Sequence, residues 1–187
     1  MFKKLLLIGL SVGVLSACAA LEKKEAGAQQ DVSAKKKGIR LDVKADKRLN
    51  FFNNQSHTLV LVIYQMNEPN YFEQLAMTPE GIGDLLEAKP NDASIVSRRK
   101  LLVQPGENKQ VYIDRSKAGN YIGVLAGYFS DDVRGVSRML NTDIREHNMF
   151  FWRPSDGDPA DTLIGLSLGA EKITGIVING NSEGKVM

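Results

Sequence analysis

One cysteine, two histidines and one tryptophan are all that the 187 residues offer of the side chains most used in thiol chemistry, metal sites and stacking platforms. A lone Cys18 cannot close an internal disulfide, and a free thiol in an oxidising compartment is a liability. His57 and His147 stand far apart, neither with a neighbour at metal-ligand spacing, so no metal or cofactor is expected. The glycines of "YIGVLAGYFSDD" lack the lysine of a phosphate loop. Asp156, Asp158 and Asp161 cluster in "SDGDPAD" but miss the register of a calcium loop, so the segment reads as a hydrated turn. Trp152, in "MFFWRP", reads as a packing anchor. These absences argue against an enzyme and toward a binding role.

The chain also lacks a membrane-spanning run. Leu5 to Leu15 is apolar but falls short of the roughly 20 residues that a permanent helix needs. Preceded by Lys3 and Lys4 and followed by small residues, it has the layout of an export signal. The signal ends in Leu15-Ser16-Ala17-Cys18, which resembles the lipobox of bacterial lipoproteins. That resemblance implies cleavage after residue 17 and lipid on the Cys18 thiol and the new amine, which accounts for the only cysteine. Several acyl chains anchor a protein firmly where one does not. By the same resemblance Ala19, rather than Asp, implies transfer to the outer membrane.

Cleavage also changes the charge. The chain has 24 Lys+Arg and 22 Asp+Glu; losing Lys3 and Lys4 (24 − 2) leaves 22 of each. No basic surplus remains to suggest a nucleic-acid ligand.

Residues 18–38 hold the cysteine and a polar stretch of lysines, acids and small residues, the composition of a solvated tether. From Ile39 to residue 187 the pattern is that of one folded domain. Ile39, Leu41, Val43 and Ala45 alternate with charged residues, the mark of a strand with one wet face. "TLVLVIYQM", residues 58–66, is apolar on both faces and reads as a central buried strand. Residues 69–92 form the helical region: Asn70 and Glu73 suggest a capping box, Thr78-Pro79 a second helix start, and Pro90 a stop. Strand patterns resume in "SIVSRRKLLV", turn at Pro105-Gly106, and continue through "KQVYID", "NYIGVLAGYF", "GVSRML" and a closing hairpin near Gly169. The sum is about eight short strands and a short helical insertion, an all-β sandwich of two antiparallel sheets.

In this order the pieces resemble the type VI secretion lipoprotein family, TssJ or SciN. The resemblance rests on the lipobox, the tether, a strand–loop–strand ending in "LVLVIYQM", "LLVQPGENKQVYID" and "NYIGVLAGYF". It covers nearly all of the mature chain, with nothing carried over for 141–161. It implies a transthyretin-like sandwich on the periplasmic face of the outer membrane, without enzymatic activity. It implies binding to the periplasmic C-terminal part of the inner-membrane protein TssM, which joins TssL, mainly through the loop between the first two strands. Here that loop is "RLNFFNNQSH", residues 48–57. Asn50, Asn53, Asn54 and Gln55 are expected to form a polar rim, with Phe51 or Phe52 as anchor. Adjacent residues of an extended segment point to opposite sides, so at least one ring is expected to be exposed. A different class stays open: an envelope lipoprotein binding a small ligand or glycan, for which an aromatic-lined pocket on a sheet face would speak.

The anchor is directly testable. Cys18→Ser is expected to abolish fatty-acid labelling and to leave the domain soluble or as an uncleaved precursor; normal labelling of the variant would refute the assignment.

Overall fold

The computed structural model describes residues 34–130, 132–142 and 160–178. Cys18, His147, Trp152, Asp156 and Asp158 lie outside these described residues.

Eight strands and two short helices follow in the order β1 (Lys35–Ala45), β2 (Leu59–Met66), α1 (Asn70–Ala76), α2 (Pro79–Leu86), β3 (Ile95–Val103), β4 (Asn108–Arg115), β5 (Tyr121–Gly127), β6 (Ser137–Asn141), β7 (Thr162–Leu168) and β8 (Ile173–Ile178). They form two four-stranded sheets, β4-β1-β7-β8 and β3-β2-β5-β6, the two layers of an all-β sandwich. Pairing is antiparallel except between β1 and β7, which run parallel from Ile39↔Thr162 to Ala45↔Leu168. The crossover between these parallel neighbours contains β2 to β6, well beyond the dozen residues that a parallel pair needs.

β2 is buried on both faces, as its unbroken apolar run requires. Leu59, Leu61 and Ile63 join Leu41, Val43, Leu166 and Ile176 in the apolar layer between the sheets. Val62, Tyr64 and Met66 face the other way, into a second layer with Phe72, Ala76 and Leu85 of the helices. Tyr64 donates its hydroxyl to the Leu85 carbonyl at 2.6 Å, and burial pushes its pKa up to about 12 against a smaller pull from Arg98. Gln65, the amide side chain of β2, is fully used: its NH2 donates to Ser97 Oγ and Asp114 O, both at 2.8 Å, and its carbonyl accepts from Ser116 N at 2.9 Å.

Three local readings need correcting. β1 starts at Lys35, ahead of the alternating pattern at Ile39. Lys35 pairs with Arg115 and its ammonium meets Asp161 at 3.1 Å, while the Lys37 amide donates to Asp114 Oδ1 at 2.8 Å. Pairing extends the strand where exposure on both sides leaves no periodicity to read. Next, Asn70 does not cap α1; the chain has already turned at Pro69, so Asn70 occupies the first helical position and no side-chain cap forms. Finally, α2 ends before Pro90. Ala88 adopts φ +58°, with Lys89 N bonded to Asp84 O and Ala88 N to Leu85 O, both at 3.0 Å, a Schellman motif with alanine where glycine is usual. The start of α2 is as read: Thr78 Oγ1 accepts from Gly81 N at 3.1 Å, with Pro79 in the first turn.

The helix pair gives two substitutions of opposite sign. A Cβ on Gly81 would lie 2.2 Å from the Leu75 carbonyl oxygen, so Gly81→Ala should cost about 1–3 kcal/mol through overpacking. Ala88→Gly should stabilise by about 1 kcal/mol, since it relieves a left-handed alanine. Urea melts of both variants check the signs.

Candidate functional site

The segment between β1 and β2 is long and polar, yet its backbone is fastened at almost every step. Asp46 starts it: its amide donates to Leu168 O at 2.8 Å and its carboxylate accepts from Arg48 N at 2.7 Å. Leu49 then drops into the core as an apolar pin. Phe51 N donates to Ala170 O in the β7–β8 turn at 2.8 Å, and His57 N donates to Leu49 O at 3.1 Å, closing the base. Ser56 Oγ donates to Lys47 O at 3.0 Å across the same neck.

The tip is a miniature hairpin. Phe52 and Gln55 exchange N–H···O bonds of 2.9 and 3.0 Å around Asn53 and Asn54. Both asparagines have positive φ, 49° and 62°, the signature of a type I′ turn. Asparagine tolerates that geometry, which is why the pair closes a loop this tight. The imidazole of His57 donates from Nε2 to Phe52 O at 3.2 Å and braces the hairpin from behind.

The expected binding residues divide into three groups. Asn53, Asn54 and Gln55 are exposed around the tip, and Phe52 is 46% exposed beside them. Phe51 is half-buried, its ring beneath the Arg48 guanidinium at 4.2 Å. The two rings therefore diverge, as neighbours in an extended segment must. Asn50, expected in the rim, is only 2% exposed. Its amide is spent internally: Oδ1 accepts from Phe129 N at 2.8 Å and Nδ2 donates to Thr58 O at 3.2 Å. A rim residue needs a solvent-facing side chain, so Asn50 belongs to the clasp beneath the loop.

Phe129, which no motif singles out, is 55% exposed and packs against the tip. Its ring lies 5.5 Å from that of Phe52 and 5.1 Å from that of His57, the latter edge-on at 85°. The only hint in the sequence is that "NYIGVLAGYF" closes on two aromatics, one more than a strand end can bury.

Among the described residues no three His, Cys, Asp or Glu side chains gather as a metal site. Asp161, the described member of the "SDGDPAD" cluster, faces Lys35 at 3.1 Å and Arg115 at 3.5 Å. A cleft of about 310 Å³ opens beside α1, lined by Glu73, Ala76, Met77, Val133, Arg134 and Ser137. It holds no aromatic side chain and so lacks the stacking surface that a glycan site uses.

The profile of the type VI secretion lipoprotein family (VasD, EvfM, TssJ) matches residues 37–150. The fold is similar to that of the T6SS lipoprotein TssJ1 from Pseudomonas aeruginosa, at 18% identity and a TM-score of 0.58, over 75% of this chain and 94% of that one. It is also similar to the structure of the T6SS protein TssM C-terminal domain from EAEC, at 18% identity and a TM-score of 0.56, over 74% of this chain and 96% of that one. Serratia marcescens Lip, a membrane-bound component of the type VI secretion system, aligns at 15% identity with a TM-score of 0.53, over 74% of this chain and 96% of that one. At such identities the likeness is one of fold. No curated protein matches the chain in sequence.

The turn geometry makes its own prediction. Asn53→Val and Asn54→Val place β-branched side chains at positive φ, and each should cost about 1–2 kcal/mol. Asn54→Gly should be neutral or better, because asparagine-glycine is the preferred pair for this turn. Thermal melts of the three variants decide it.

Proposed function

This chain belongs to the type VI secretion lipoprotein family, and on that premise we propose that it is a docking protein of the secretion system's membrane complex. Lipid on Cys18 holds it at the periplasmic face of the outer membrane. Its 48–57 loop binds the periplasmic C-terminal domain of a TssM-like inner-membrane protein, and through that protein TssL, so that the two membranes are connected. The role is mechanical and involves no catalysis.

One observation carries this reading: Phe52 stands nearly half exposed on a hairpin whose backbone is tied down. An apolar ring displayed on a mobile loop would be hidden by collapse, whereas a fixed one is available to a partner. Exposed aromatics on ordered loops mark interaction sites, and such anchors carry a large share of binding energy. Asn53, Asn54 and Gln55 around the ring supply the polar rim that seals such a contact. Among the described residues no helix is long and apolar enough to cross a membrane.

Phe52→Ala is expected to weaken binding of the partner's periplasmic domain by about 2 kcal/mol. Its melting temperature should change little, since the ring contributes little to the core. Calorimetric titration and a thermal melt on the same preparation separate the two effects. Unchanged affinity in a stable Phe52→Ala variant would move the contact away from this loop.

A further inference from the structure

β5 ends at Gly127, and the chain bends at once, with Tyr128 N bonded to Ala126 O at 3.1 Å. The bend delivers Phe129 to the tip of the β1–β2 loop, where its ring meets Phe52 and the edge of His57. The two loops are far apart in sequence, and the Asn50 side chain adds a hydrogen bond between them. Asn50 accepts from the Phe129 amide and donates to the Thr58 carbonyl, and its own backbone sits at φ +49° to reach both. The result is an aromatic corner with walls from separate connections, open to solvent at Phe52 and Phe129. From Asn50 to Ser56 the sequence contains no charged residue.

We propose that Phe129, Phe52 and the edge of His57 form a preorganised apolar corner that receives an uncharged apolar side chain of the docking partner, with Asn50 as the positioning residue that holds its two halves together. The proposal rests on the reading of the 48–57 loop as the docking site. A corner assembled before binding spares the entropy of ordering two loops on contact, which is how preorganisation raises affinity. Aromatic anchors at a dry centre, ringed by neutral amides, are the usual anatomy of a hot spot. A neutral contact of this kind is also insensitive to screening by salt.

The test uses the full-length lipoprotein in detergent, titrated with the periplasmic domain of its TssM-like partner well below the melting temperature. Phe129→Ala is expected to weaken binding about tenfold or more, and to combine with Phe52→Ala for less than the product of the single losses. Asn50→Gly keeps the left-handed backbone and removes only the amide. It should weaken binding several-fold in the native chain and add nothing once Phe129 is alanine, a dependence that a merely structural role would not produce. Raising salt from about 0.05 to about 0.5 M should change affinity by less than about threefold. If Phe52→Ala loses affinity while Phe129→Ala binds like the native protein, the corner is refuted and the loop reading stands. If the native protein does not bind the domain, both fall. Equal losses from Asn50→Gly in both backgrounds would remove Asn50 from the positioning role, and the Phe52/Phe129 cycle decides the corner even if Asn50→Gly does not fold.

Discussion

A strand with two apolar faces has to be covered twice, and in this domain β2 sets that requirement. One face, through Leu59, Leu61 and Ile63, calls for the opposing sheet; the other, through Val62, Tyr64 and Met66, calls for the helical insertion. The helices are short and carry little intrinsic stability, since isolated helices of this length are marginal in water. They persist because Phe72 and Leu85 close the second layer over β2. Gln65 is the exception that keeps the arrangement in register. An unsatisfied buried amide costs roughly 1–3 kcal/mol, and the bonds to Ser97, Asp114 and Ser116 form together only when β3 and β4 stand in their observed places.

That rigidity propagates to the loop before β2. Leu59 is fixed in the core, Leu49 is pinned ten residues earlier, and the chain between them is stitched to the β7–β8 turn and to the end of β5. Loops that carry function on a firm scaffold present their side chains in one arrangement rather than many. The displayed surface here is small, aromatic and uncharged at its tip, while the flanks carry Lys47 and Arg48. Charge around a neutral centre governs how fast partners meet more than how tightly they hold.

Much of this was legible in the sequence, and the reasons are specific. β2 was readable because burial on both faces leaves an unbroken apolar run, and β1 because burial on one face leaves alternation from Ile39 to Ala45. Pro105-Gly106 and Thr78-Pro79 were readable because their conformations are nearly forced by covalent structure: Gly106 has φ +73° and Thr78 caps α2. The strand start at Lys35 was hidden because exposed pairing leaves no apolar trace. Ala88 in a left-handed position was hidden because alanine gives no sign of it. Asn53 and Asn54 announced a turn, but the burial of Asn50 did not show, since an asparagine that clasps and one that is displayed look the same in a string. Phe129 required the tertiary contact itself: no local pattern reports that two distant loops share a corner.

The parallel seam between β1 and β7 has a consequence for biogenesis. Ile39 belongs to the first strand of the sandwich and Thr162 to the start of its closing hairpin, yet the two are neighbours in one sheet. A polypeptide emerging amino end first therefore releases β1 with one side vacant until nearly all of the remaining domain has followed. Contacts so distant along the chain are slow to form, and in the interval an unsatisfied strand can capture a stranger. The charged residues Arg40, Asp42 and Lys44 that alternate along β1 discourage such capture. The interval before β7 arrives, rather than the folded state, is thus where this topology is most exposed to error.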